Sequence, residues 1–240
     1  MSAGTTAGES NFQPRGEPLP KLADRSPLAY LLHALNQPLT GLQCAMEVAL
    51  GRPRTPEQYV QGLREGLGLT ERMRSLVEAI REVMDLEEDK SKAEERETFE
   101  LRVLLREVLD DLEPVAEVKA VRMLIEGAEH FPMVLKASRR RMAGTVFRTL
   151  ESALSLAAQG SEVLVETSGA SSEGWIRVGW LAAGARAEFS RPELGLVVAQ
   201  AGWEQASAEW ERERMEDREA VTIRLSGARQ AAGIPNLSYL

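Results

Sequence analysis

His33 stands in the stretch Leu32-His33-Ala34-Leu35-Asn36-Gln37-Pro38-Leu39, where residue type and spacing suggest chemistry. A neutral imidazole is a competent nucleophile near neutral pH. His33 lies one position after Leu32 in a helical pattern, which puts it on the flank of the helix and in water. Five residues later Pro38 removes one backbone donor, clashes with the carbonyl of Ala34, and should bend the helix where the histidine is displayed. On periodicity alone, the plainer reading is a helix with an incidental surface histidine.

The other reactive residue types are sparse. The chain has two histidines and one cysteine, too few soft ligands for a structural zinc site and no partner for an internal disulfide. Cys44 lies inside the first helix and reads as a small core residue. His130 has no catalytic partner nearby in sequence, and Trp203 and Trp210 read as packing or edge contacts. No phosphate loop, dinucleotide fingerprint or metalloprotease helix is present. Neither a metal nor a cofactor is expected.

The 240 residues carry 29 Lys+Arg against 37 Asp+Glu, a net charge of -8, which argues against a broad nucleic-acid surface. The run Arg139-Arg140-Arg141 reads as a solvated helix face rather than an anion site. No apolar run approaches the roughly 18 residues of a membrane span, and no signal pattern opens the chain, so a cytoplasmic protein is expected. With 43% hydrophobic residues but only 5% aromatic, the core must be filled by aliphatic side chains.

Residues 1–25 read as a disordered tail. Ser26-Pro27 is a helix start, and Leu28, Leu32, Leu35, Leu39, Leu42, Met46 and Ala49 form a heptad seam along about 24 residues. A break at Gly51 to Pro56 is followed by a second seam: Leu63, Gly66, Thr70, Met73, Val77, Ile80 and Met84. Two such helices predict an antiparallel hairpin over residues 26–90, which buries its seams by dimerising into a four-helix bundle. The charged stretch Glu87 to Lys92 reads as a linker. Helices at Leu101 to Val118, Arg139 to Ala158 and Leu194 to Ala201, with strands at Val121 to Glu126, Glu162 to Thr167, Trp175 to Trp180 and Ala220 to Leu225, predict an α/β sandwich over residues 97–226. The fold class is therefore α+β. Residues 227–240 read as a second tail.

The string around His33 resembles the phosphoacceptor box of sensor histidine kinases, commonly His-Glu-x-x-Asn-Pro-Leu or His-Glu-x-Asn-Gln-Pro-Leu. In that family the box lies on the first helix of a dimerising hairpin, followed by an ATP-binding α/β domain, and the resemblance covers about residues 26 to 226 in the same order. It implies that His33 is the phosphorylated residue and that Asn36 and Gln37 belong to the reactive turn. Gln37 stands where family members with phosphatase activity use an amide or hydroxyl to position water; its plainer reading is a solvent-facing helix residue. The acidic residue that orients the ring in family kinases is Ala34 here. The resemblance also implies a docking face for a partner beside His33, formed by Leu31, Ala34 and Thr40.

The second unit resembles the family's ATPase domain with its functional groups replaced. Phe147 to Leu154 looks like the Asn-rich box, typically Asn-Leu-Leu-x-Asn-Ala-hydrophobic-Lys, yet the first box position is Arg148, the magnesium-binding asparagine is Ser152 and the lysine is Ser155. Serine is a poor substitute for an amide oxygen that coordinates a hard cation. Ile176 to Gly184 aligns with the adenine-recognising strand and Asp-x-Gly-x-Gly turn, with Trp180 in place of the aspartate and only Gly184 of the glycine pair. Pro192 to Val197 resembles Gly-x-Gly-Leu-Gly-Leu-Ala, retaining Leu194, Gly195 and Leu196.

Taken together, the resemblance implies a histidine phosphotransfer protein of a two-component phosphorelay. It would form a homodimer and partner a response-regulator receiver domain, a sensor histidine kinase, or both. A catalytically inert pseudokinase adaptor that binds the same partners is the alternative, and an atypical ATP-dependent kinase is a third.

Overall fold

The computed structural model describes residues 26–89, 96–127, 133–170, 173–184, 189–215 and 217–226. The two expected tails, the end of the expected linker at Lys90 to Lys92, and His130 lie outside the described residues.

Helix α1 (Pro27–Leu50) starts as the sequence predicts: Pro27 is its first residue, and the Ser26 hydroxyl accepts a hydrogen bond from the Ala29 N–H at 3.3 Å. It runs on through Pro38. Helix α2 (Pro56–Asp89) starts with a reciprocal cap, in which the Gln58 N–H donates to the Thr55 hydroxyl at 3.3 Å and the Thr55 N–H donates to the Gln58 side-chain oxygen at 3.1 Å. The two helices form a hairpin in which each offers a glycine to the other's leucine. A Cβ on Gly41 would meet Leu69 at 3.5 Å, and one on Gly66 would meet Leu42 at 3.4 Å. Glu87 to Asp89, expected as the start of the linker, complete the last turn of α2.

The remaining elements are β1 (Glu97–Glu100), α3 (Leu101–Lys119), β2 (Arg122–Gly127), β3 (Val134–Ala137), α4 (Arg139–Leu156), β4 (Glu162–Ala170), β5 (Glu173–Leu181), α5 (Arg191–Gln205), β6 (Glu209–Arg214) and β7 (Arg218–Ser226). Strands β1 and β3 pair antiparallel, while the main sheet runs β2-β4-β5-β7-β6, with β2 parallel to β4 and the other pairs antiparallel. Helices α3 and α4 bury Leu104, Leu105, Leu112, Val146 and Leu150 against a sheet face built from Val163, Val165, Ile176, Val178, Val221 and Ile223. This is the α/β sandwich the sequence predicts.

Three strands were not legible beforehand. β1 and β3 have only four residues each, and β6 reads Glu-Trp-Glu-Arg-Glu-Arg, a charged pattern suited to a sheet edge. β6 is tied down by ion pairs. Arg212 reaches Glu193 of α5 and Glu219 of β7, both at 2.7 Å, and Arg214 reaches Glu219 at 2.9 Å. Burial opposes the charge on Arg212, but the hydrogen bonds and charges of Glu193 and Glu219 outweigh it and hold its pKa above the ordinary value.

The α1 seam is a correction in part. Leu32, Leu39 and Met46 face outward from the single chain, whereas the buried face of α1 is Pro27, Leu31, Ala34 and Pro38, one position away. On α2 the buried residues are Leu76, Ala79 and Val83, while Leu63, Val77 and Met84 are exposed. The heptad spacing marked the outer stripe and missed the inner one because this hairpin has two apolar faces.

Thr55→Ala removes the hydroxyl half of the α2 cap and is expected to lower stability by about 1 kcal/mol, a fall of about 2–4 °C in Tm on thermal unfolding followed by circular dichroism.

Candidate functional site

His33 is exposed near the start of α1 and makes no hydrogen bond or ion pair with the described residues. Successive helical residues turn by about 100°, so Gln37, Thr40 and Cys44, at four, seven and eleven residues on, fall within about 40° of His33. All four are exposed, as is Asn36. The Thr40 hydroxyl donates to the Asn36 carbonyl at 2.9 Å, bridging the turn that contains Pro38. The structure thus brings His33, Asn36, Gln37 and Thr40 together on one open, polar stripe. Cys44, expected in the core, lies on this surface instead.

Leu31 and Ala34 do not belong to that stripe, which corrects the docking face expected from the sequence. Leu31 is 0% exposed and Ala34 1%. With Leu76, Ala79 and Val83 of the hairpin they form an apolar cluster against Leu194, Val197, Val198 and Ala201 of α5. Phe189, just before α5, completes the cluster and lies against Tyr30, with ring centroids 6.1 Å apart and a tilt of 45°. Its φ of 60° is uncommon for an aromatic residue and holds the ring at this contact. A hydrophobic residue directly after His33 follows from this packing, because a carboxylate at position 34 would be buried among aliphatic groups.

The residues compared with a nucleotide site fall into three places. Ser152 and Gly195 meet at the contact between α4 and α5: Ser152 is buried, and a Cβ on Gly195 would collide with its hydroxyl. Farther along, a Cβ on Gly202 would lie 2.5 Å from the Thr145 hydroxyl, and the Trp203 indole N–H donates to the Thr149 hydroxyl at 3.0 Å. Arg148 leaves this contact to bind Glu82 of α2 at 2.6 Å and Glu151 at 3.4 Å. Trp180 is on the core face of β5, in step with Ile176 and Val178; it is 3% exposed, and its N–H has no acceptor among the described residues. Gly184 is an exposed turn residue with φ of 33°, apart from the others.

Sequence reasoning missed Tyr30, Glu82 and Phe189, and it underestimated α5. The signal for α5 was present, since Leu194, Leu196, Val197, Val198, Ala199 and Ala201 leave no polar face wide enough for water. No group of side chains able to hold a metal ion occurs among the described residues. No described helix is long and apolar enough to cross a membrane.

No protein-family model matches the sequence, and none of the curated proteins does. Solved structures do. The histidine kinase AdeS of Acinetobacter baumannii matches with a TM-score of 0.52 and 17% identity, over 81% of this chain and 98% of that one. A histidine kinase from Burkholderia phymatum STM815 matches with a TM-score of 0.50 and 17% identity, over 84% and 98%. Full-length ShkA, solved in complex with AMPPNP, matches with a TM-score of 0.50 and 15% identity, over 85% of this chain but 47% of that one. The chain has the fold of a sensor histidine kinase core, a helical hairpin followed by an α/β unit built on a mixed sheet.

Leu31→Ala deletes a side chain with no exposed surface at the junction of hairpin and α5. It is expected to lower stability by about 2–5 kcal/mol in urea unfolding, and an unchanged midpoint would refute the docked arrangement.

Proposed function

We propose that this chain is a histidine phosphotransfer protein of a two-component phosphorelay, with His33 carrying the phosphoryl group between response-regulator receiver domains and no nucleotide chemistry of its own. The observation that carries this reading is the contrast between the two candidate sites. His33 stands open on α1, while the α4–α5 contact at Ser152 and Gly195 is closed and Trp180 is core. In this reading residues 26–90 are the dimerisation and phosphoacceptor unit and residues 97–226 a degenerate ATPase-like domain.

The transfer requires little of the protein. An unprotonated ring nitrogen of His33 gives its lone pair to the phosphorus of a receiver's aspartyl phosphate; the P–O bond to the carboxylate breaks, a P–N bond forms, and the aspartate leaves as its anion. The proton on the other ring nitrogen passes to water. A second receiver's aspartate reverses these steps and takes the group away. The metal and the carboxylates belong to the receivers, so the chain must supply an exposed imidazole, a surface beside it and a fixed orientation. Gln37, one turn along, is placed to hydrogen-bond a phosphoryl oxygen or a water, and the Thr40–Asn36 hydrogen bond steadies the turn between them.

Exposed Leu32, Leu39, Met46, Leu63, Leu67, Val77 and Met84 support a homodimer, since a second hairpin packed on these large apolar side chains would remove them from water. Met46→Asp is expected to shift the chain from dimer to monomer in size-exclusion chromatography with light scattering, leaving the α/β unit folded.

Ala34 favours a second reading, an inert adaptor that binds a receiver or a kinase, because no acidic side chain follows His33 to orient the ring. One experiment separates the readings. Wild type and His33→Ala are incubated with labelled phosphorylated receivers, and separately with labelled ATP and magnesium. Label from a receiver, absent in the mutant and absent with ATP, is the expected result. Label from ATP would restore the kinase, and binding without label would leave the adaptor. Alkylation of Cys44, on the His33 stripe, with a bulky maleimide is expected to slow transfer from a receiver without dissociating the dimer.

A further inference from the structure

The two edges of the main sheet are defended unequally. β6 presents alternating charges tied into ion pairs with α5 and β7, a device by which sheets discourage further strands. β2 instead carries Met123, Leu124 and Ile125 in succession, has β4 as its one strand partner among the described residues, and leaves Leu124 37% exposed. Between this edge and the flank of α3 runs a groove of about 320 Å³, lined on the helix side by Leu109, Asp110, Glu113, Ala116 and Glu117 and on the sheet side by residues 121–124. We infer that this groove takes an extended, basic peptide segment of a partner protein, which pairs with β2 as a sixth strand of the sheet.

The backbone of β2 supplies half of the recognition. β2 pairs parallel with β4, and the Arg122 N–H donates to the Ser161 carbonyl at 3.0 Å. Alternate residues of a parallel ladder face the same neighbour, so the N–H and C=O groups of Arg122, Leu124 and Glu126 turn toward β4 while those of Met123 and Ile125 turn out into the open edge. Consecutive residues of one strand line the groove because its wall there is backbone, not one set of alternating side chains. Strand addition at such an edge is a general mode of peptide recognition, with main-chain bonds giving affinity and alternate side chains giving specificity. Charge supplies the other half. Asp110, Glu113 and Glu117 are exposed on the helix flank. The cations nearest to Glu117 in sequence are engaged elsewhere: Arg122 pairs with Glu162, and the Lys119 ammonium donates to the Leu154 and Ser155 carbonyls at 3.2 and 3.1 Å. Arg106, a turn before Asp110, does not line the groove. An incoming strand places every second side chain on the α3 side, where Lys or Arg would lay its methylene stem over Leu109 and Ala116 and reach a carboxylate with its head. Asp110 to Glu117 spans about 10 Å at 1.5 Å per residue, and alternate strand residues recur about every 6.8 Å, so two or three basic residues at alternate positions match the acidic row. A second copy of this chain does not fit, since pairing two β2 edges would bring two acidic flanks together.

The test is fluorescence anisotropy of the full chain with a fluorescein-labelled octapeptide in which lysine and threonine alternate, beside a control of the same composition with its lysines in one block. The alternating peptide is expected to bind about tenfold or more tighter than the control. Two further peptides carry backbone N-methyl groups, one on every lysine and the other on every threonine. Only one of these two sets of N–H groups faces β2 in an added strand, so one peptide is expected to lose about tenfold or more in affinity and the other to keep it. Glu113→Lys combined with Glu117→Lys, at exposed helix positions, is expected to weaken binding about tenfold or more while circular dichroism remains that of the wild type. His33→Ala should bind as wild type does, so a failed phosphorelay assay leaves this result intact. Absence of binding, equal binding of the alternating and block peptides, N-methylation that affects both peptides alike or neither, or indifference to the charge reversal would overturn the inference. So would dissociation of chain dimers by the peptide in light scattering, which would assign the edge to a second copy.

Discussion

Helix α5 is buried on every side, and the rest of the molecule is arranged around that fact. Every residue from Leu194 to Trp203 is buried. One side meets α4 through Gly195 and Gly202, where the absence of a side chain lets the backbones approach, and Trp203 inserts there with its indole hydrogen-bonded. The other side meets the hairpin through Leu194, Val197, Val198 and Ala201. A helix with no polar face cannot be left in water. In this fold it therefore joins the hairpin to the α/β unit as a shared piece of core.

This packing sets the surroundings of His33. The residues on either side of it in sequence differ in exposure because the α1 surface is divided three ways: Leu31 and Ala34 toward α5, Leu32 and Leu39 toward the outside as an apolar stripe, and His33, Gln37, Thr40 and Cys44 toward water as a polar one. Holding the imidazole on a packed helix rather than a loop fixes its direction. The Arg148–Glu82 pair and the Phe189–Tyr30 contact reinforce the same junction from two other points.

Much of this was legible in advance. The start and length of α1, the hairpin, the order of the later helices and four of the sheet strands all follow from periodicity and cap residues, since those signals are local. What was not legible was non-local. The inner face of α1 was masked by the stronger heptad pattern of the outer one, and Leu31 and Ala34 were assigned to a surface because nothing in the string around His33 shows that a helix more than 150 residues away covers them. Strands β1, β3 and β6 are too short or too charged to stand out, and exist because a partner strand completes them. The exposed stripe at His33 was read correctly as a surface, although Cys44 was wrongly placed inside.

The burial of position 34 also limits what can follow His33. As long as α5 covers it, a carboxylate there would have to be desolvated beside leucine and valine, so the side chain that accompanies the phosphoacceptor in the kinases this chain resembles is excluded by the fold itself. Undocking the hairpin from α5 would admit the acid, but would expose Leu194, Val197, Val198 and Ala201 to water. Neither change is tolerable without the other, so no single substitution supplies both. The α5 junction works as a latch: once it is packed, architecture rather than chemistry decides which side chain can stand at position 34.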